Sequence, residues 1–171
     1  MENVIETLKR VFDSKKSLNF KRKPILIGGM AKEYYGIRKT GLDIDLIICD
    51  EDYQILAKKY PNNRKDIWGD MGVVIEPFEI WKCIMLLDYD FYIKGAIDED
   101  IVYIVSLEKI ILMCIFGMEV TKYHDDLKLI GNYYRNKYKN KKYSEEAETH
   151  INSYKNNDGG IIYGGKYNDN N

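Results

Sequence analysis

The apolar positions of this chain change period several times, and each change marks an element. Val4, Ile5, Leu8, Val11 and Phe12 recur at spacings of three and four, which predicts an amphipathic helix over residues 2–13. The charged stretch 13–23 reads as a loop. Pro24 then opens a short apolar run, Ile25-Leu26-Ile27, and a first strand position suits a residue with no N–H to donate. A helical pattern over residues 31–35 stops at Gly36. Residues 43–48 alternate as a strand, with Ile44, Leu46 and Ile48 on one face and Asp43, Asp45 and Ile47 on the other. A helix over 53–59 ends at Pro61-Asn62-Asn63. The run 73–80 predicts a third strand, bent at Pro77, with Glu76 on the face of Val74 and Phe78 and Glu79 on the opposite face. Residues 81–96 keep no clean period. A short strand follows at 101–105, and Ser106 caps a helix carrying Leu107, Ile110, Ile111 and Cys114 that ends at Gly117. A further helix over 123–138 buries Leu127, Ile130 and Tyr134, and a weaker helical segment follows near 145–151.

Strands alternate with helices early and helices dominate late, so the expected class is α+β: a small mixed sheet with flanking helices and a C-terminal helical part. The expected division is an α/β domain over 1–105, a helical extension over 106–155, and a disordered Asn/Gly/Asp-rich tail over 156–171. The 171 residues, 45% of them hydrophobic, suffice for one ordinary core. A net charge of -1 supplies no global field toward nucleic acid or anionic membranes. A basic run at 135–142 is a solvated helix end or a local RNA-contacting patch. Three widely spaced cysteines, Cys49, Cys83 and Cys114, lie among apolar neighbours and read as buried reduced thiols. The N-terminus has no signal-peptide pattern, and the longest apolar run, 110–116, is too short to span a bilayer; a cytoplasmic protein is expected.

The chemistry-bearing stretch is residues 24–50. Asp43 and Asp45 are two apart on a strand and point the same way. Two such carboxylates stay ionised together when a cation sits between them, and oxygen-only ligands select Mg2+ or Mn2+. The Gly28-Gly29 pair at a strand end lets backbone approach a bulky anion, although it matches neither the Walker A nor the dinucleotide-binding glycine pattern.

In order and spacing, the segment IGGMAKEYYGIRKTGLDIDLII resembles the signature of the DNA polymerase beta superfamily of nucleotidyltransferases. It is most similar to the small branch with the lincosamide and aminoglycoside nucleotidyltransferases, minimal nucleotidyltransferases and abortive-infection-type toxins. IVYIVSLEKIILM and KYHDDLKLI extend the resemblance to about residue 131. The resemblance implies a sheet of the nucleotidyltransferase type. It implies that Gly28 and Gly29 hold an NTP, that Asp43 and Asp45 ligate Mg2+ (or Mn2+), and that a nucleoside monophosphate passes to a hydroxyl with release of pyrophosphate. The family's third carboxylate lies on the next core strand between apolar residues. Glu76 is the expected residue, as a catalytic group and metal ligand, with Asp70 as fallback and Glu79 as the remaining candidate. Arg38 and Thr40 stand where small members carry R-x-T, and Lys122 is a further candidate phosphate contact. His124 reads as an exposed helix residue or an acceptor-side base, and the tyrosines of 89–92 and 133–138 as packing or as acceptor-stacking groups. The acceptor stays open between a small molecule, tRNA and protein. A non-catalytic nucleotide- or partner-binding module of the same fold is the alternative.

Overall fold

Burial on both faces explains why the sheet is built around β2 (Ile44–Ile47). Ile44, Leu46 and Ile47 lose nearly all contact with solvent, and Asp45 is the one polar residue of the strand. The computed structural model describes residues 4–15, 18–41, 43–139 and 144–156. The chain divides into two compact units, residues 1–130 and 131–171. That boundary falls inside a helix, later than the expected one at residue 105.

In the first unit, α1 (Val4–Ser14) precedes β1 (Ile25–Leu26) and α2 (Gly28–Tyr34). After β2 come α3 (Asp50–Lys59), a single 3-10 turn, and the strands β3 (Arg64–Ile67), β4 (Asp70–Ile75) and β5 (Phe78–Trp81). Then follow a small hairpin, β6 (Cys83–Ile84) and β7 (Leu87–Asp88), the one-turn helix α4 (Tyr89–Tyr92), β8 (Ile97–Asp98), β9 (Tyr103–Ile104) and α5 (Leu107–Phe116). The helix α6 (Thr121–Tyr138) begins in the first unit, and α7 (Ser144–Asn156) lies in the second. The main sheet has seven strands in the order β3-β4-β5-β2-β1-β9-β8. β2 runs parallel to β5 and antiparallel to β1, so the sheet is mixed. The class is therefore α+β, with flanking helices and a C-terminal helical part.

Packing follows the apolar stripes. α1 buries Val4, Ile5 and Leu8, and its Phe12 ring lies 4.9 Å from the ring of Phe78. α5 starts as the sequence predicts, with Ser106 Oγ accepting from the Lys109 N–H at 3.3 Å. The loop before β1 is ordered by the buried Asp52 of α3, whose carboxylate accepts from the Lys21 and Arg22 N–H groups at 2.9 and 3.2 Å. The three cysteines are free and buried. Tyr89 and Tyr92 are core residues, their hydroxyls donating to the carbonyls of Lys23 and Ile84.

The expected third strand is two strands. β4 and β5 form a hairpin in which Ile75 pairs with Phe78, leaving Glu76 and Pro77 as its two-residue turn. β3 and β8 were not expected; β3, with the sequence RKDI, sits at the sheet's edge, where charged residues are tolerated. The tail 157–171 and most of the 139–142 basic run lie outside the described residues. Among the described residues no helix is long and apolar enough to cross a membrane.

Candidate active site

Strand pairing determines which carboxylates meet. β2 and β5 are parallel neighbours, and Asp45 pairs with Glu79 in register, so both side chains leave the same face of the sheet. The opposite face of β5 carries Phe78 and Ile80, buried in the core. Glu79 thus stands between two apolar residues on the strand next to the D-x-D segment. Glu76 does not. The pairing leaves it exposed in the β4–β5 turn, off the end of the ladder that brings Glu79 to Asp45. The expectation that Glu76 sits beside the D-x-D pair is corrected, because the apolar run 73–80 folds back on itself and does not continue as one strand. Asp70, the fallback, opens β4 and lines the same cavity, but its two carboxylate oxygens accept the N–H groups of Met85 and Leu86, each at 2.8 Å.

Above Asp45 lies the turn from β1 into α2. Gly28 has φ +65, and a Cβ added there would lie 2.0 Å from Asp45 Oδ2. Both facts demand glycine: the left-handed backbone and the close approach of the carboxylate. Gly29 is packed in turn by Thr40, whose Oγ1 would be 2.8 Å from an added Cβ. Thr40 is further fixed by its N–H, which donates to Glu33 Oε2 at 2.9 Å. The structure therefore brings Gly28, Gly29, Thr40 and Asp45 together at one corner. Asp43 is exposed just before β2, and its charge acts on Asp45.

Gly28, Gly29 and Asp45 border a cavity of about 360 Å³. Around Asp45 its lining is Gly28, Gly29, Glu79 and Lys122, and the rest is largely apolar apart from Lys32, Lys65 and Asp70. Burial, followed by the charge of Glu79, pushes the Asp45 carboxyl above the ordinary aspartate value; Lys122 and a side-chain hydrogen bond with Trp81 act in the opposite direction. Glu79 is itself paired with Lys65, whose Nζ is 3.2 and 3.3 Å from its two oxygens.

Arg38 reaches the same corner, its Nη1 lying 3.8 Å from a Cβ added at Gly29, and hydrogen bonds hold it there. Its Nε donates to Asp126 Oδ1 at 2.7 Å, and its Nη1 donates to the Lys39 carbonyl at 3.0 Å. Asp126, 2% exposed, also takes the ammonium of Lys32, 5% exposed, so one buried carboxylate of α6 holds two cations from around α2. That double pairing holds the Asp126 carboxyl below its usual range against the opposing effect of burial. His124 is exposed on α6. In the second unit the rings of Tyr134 and Tyr138 stack on each other, with centroids 6.4 Å apart.

Sequence reasoning missed Lys32, Lys65, Trp81 and Tyr123 as cavity residues. A signal existed for Lys32, four residues after Gly28 and so one helical turn on. None existed for Lys65, which sits in a strand without strand-like composition. Glu79 carried the signal that was underweighted, a carboxylate flanked by Phe78 and Ile80.

Among the described residues no group of three or more His, Cys, Asp or Glu side chains is arranged to hold a metal ion. A smaller donor set is present. Asp45 and Glu79 offer oxygen donors from one sheet face, and Mg2+ commonly draws only one or two carboxylates from protein, leaving its other positions to water and phosphate. No family model, curated protein or solved structure matches the chain.

Proposed function

We propose that this chain is a nucleotidyltransferase that moves a nucleoside monophosphate from an NTP to a hydroxyl group. The observation that carries the reading is the in-register pairing of Asp45 with Glu79 beneath the Gly28-Gly29 turn. Gly28 and Gly29 let the turn close directly onto Asp45 and Thr40, so that backbone borders the cavity beside the carboxylate, and Lys122 supplies a cation there. Asp45, Glu79 and, from the strand's mouth, Asp43 are the residues to hold Mg2+ (or Mn2+). A divalent ion there would neutralise phosphate charge and orient the reacting groups.

Glu79 accepts the proton of the attacking hydroxyl. The acceptor oxygen bonds to the α-phosphorus as the bond to the β-phosphate oxygen breaks, and pyrophosphate leaves with that electron pair. Arg38, Lys32 and Asp126 fasten α2 to the start of α6 and so fix Lys122 relative to Gly28, and the same pairing holds the Arg38 guanidinium beside Gly29.

The test is incubation of the protein with each labelled NTP, Mg2+ or Mn2+, and a cell extract as acceptor source. Transfer of label that disappears in Asp45→Ala and Glu79→Gln supports the reading; no NTP binding at millimolar nucleotide and metal overturns it. A second reading, a nucleotide-binding module without catalysis, is favoured by one observation: Lys65 already engages both oxygens of Glu79. Under that reading NTP binds and no label moves.

A further inference from the structure

The cavity is chemically two-sided, and the sheet order gives its sides a direction. Passing from β1 through β2, β5 and β4 to β3, the face over the cavity presents Gly28 at the end of β1, then Asp45, then Glu79 with Trp81, then Gly72, then Lys65 with Ile67. In-line displacement places the entering and leaving oxygens on opposite sides of the phosphorus. Pyrophosphate leaving toward Gly28, Gly29 and Lys122 therefore leaves the β4–β3 side for the entering hydroxyl.

That side is apolar. Trp81 lies flat against Gly72, where an added Cβ would meet its Cε3 at 2.7 Å. Ile67, Ile84 and Met85 complete the walls of that side, and Met113 lines the cavity from α5. The charged groups there are already engaged: Lys65 with Glu79, and Asp70 with the Met85 and Leu86 N–H groups. The slot thus offers neither an uncommitted carboxylate for a polycation nor an uncommitted cation for a phosphodiester chain. Thioether side chains give it walls that adjust to an irregular ligand.

The mouth carries a second observation. Trp68, Met85 and Leu86 have φ of 50, 55 and 59, conformations that bulky side chains rarely adopt. All three lie in the two hairpin tips, β3–β4 and β6–β7, that Asp70 ties together. The β3–β4 tip borders the slot through Ile67 and Asp70, and its Trp68 is 97% exposed. Positive φ at these positions is what two-residue hairpin turns require, and the bare indole that the β3–β4 turn presents at the cavity's edge fits a ligand clamp.

We propose that this apolar half is the acceptor subsite, and that it takes a small hydroxyl-bearing molecule with a planar apolar body. The proposal rests on the nucleotidyltransferase reading and adds the class of acceptor.

The test uses protein labelled with 13C at its methionine methyls, with 2-naphthol and Mg·ATP as probes. Naphthol is expected to shift the Met85 and Met113 methyl signals saturably, with unchanged affinity when Mg·ATP is present. Trp68→Ala, a substitution at an exposed site, weakens naphthol binding by about three- to tenfold. Asp45→Ala removes the response to Mg·ATP and keeps that to naphthol. Absence of the methyl shifts overturns the proposal, as does displacement of naphthol by Mg·ATP, which would assign the slot to the nucleobase and leave the nucleotidyltransferase reading intact. Shifts produced by tRNA and not by naphthol also overturn it. Absence of Mg·ATP binding overturns the underlying reading and this assignment with it.

Discussion

Replacing Asp45 by Asn should stabilise the metal-free protein, although it removes a residue at the centre of the candidate site. Asp45 and Glu79 pair on adjacent parallel strands, which sets their side chains about 5 Å apart. At that separation two full charges repel by about 3 kcal/mol at an effective dielectric constant of ~20. Lys65, 3.2 Å from Glu79, offsets much of this, and Lys122 offsets more, so a net cost of about 1 kcal/mol remains for the ionised form. Because the folded-state carboxyl titrates above its unfolded value, the folded protein binds the extra proton. Stability from this group is thus complete below the unfolded pKa and is lost as pH rises through the raised folded one. At pH 7 the whole cost is present, and Asn abolishes it while keeping an oxygen for Trp81. A gain of about 1 kcal/mol corresponds to about 2–4 °C in Tm for a chain of this size. A divalent ion at ten times its Kd would stabilise the wild type by about 1.4 kcal/mol. Differential scanning fluorimetry at pH 4 and pH 7, with and without Mn2+, measures both effects. The expected pattern is a higher Tm for Asp45→Asn at pH 7, a smaller difference at pH 4, and a Mn2+ response in the wild type alone. A lower Tm for the variant at pH 7, or an equal Mn2+ response in both proteins, refutes the reasoning.

Glu79→Gln should reduce nucleotidyl transfer by about 10²–10⁴-fold while Glu76→Gln leaves it unchanged, as read from initial rates with a labelled NTP. Gly28→Ala forces a Cβ to 2.0 Å from Asp45 Oδ2 at φ +65, and urea denaturation should register a loss of about 1–3 kcal/mol. Asp126→Ala strands the buried Lys32 ammonium and should cost about 3–5 kcal/mol by the same measurement. The double variant Lys32→Met with Asp126→Leu should recover part of that loss, since the buried ammonium is gone and only the partly exposed Arg38 guanidinium loses its carboxylate.

The elements with long, regular periods were legible. The stripe of α1, the Ser106 cap with its Gly117 stop, and the alternation of β2 all stand close to their expected places. Glu76 shows where reading stopped. Its apolar neighbours promised a buried strand position, but a period of two along 73–80 is equally satisfied by two short strands, and a two-residue turn restores the alternation on the far side. Asp45 was visible because its partners in the pattern are local; Glu79 was harder because its partner is 34 residues away, across a strand pairing that no local spacing encodes. Arg38 illustrates the same limit, since its carboxylate partner Asp126 sits on α6, 88 residues away.

The pairing of β2 with β5 also ties chemistry to local stability. Asp45 and Glu79 are held together by the backbone ladder between two four-residue strands, bounded by the Ile44 N–H donating to the Pro77 carbonyl and the Ile48 N–H donating to the Trp81 carbonyl. Because β2 carries fully buried core residues, opening this ladder opens the core, and the same event separates the carboxylate pair. The slowest-exchanging amides of the protein should therefore include those of β2 and β5. Where a lesion elsewhere in the sheet raises the exchange rate of these amides, the fraction of molecules with the site disassembled should rise by the same factor. The site's occupancy is in that sense a readout of one foldon.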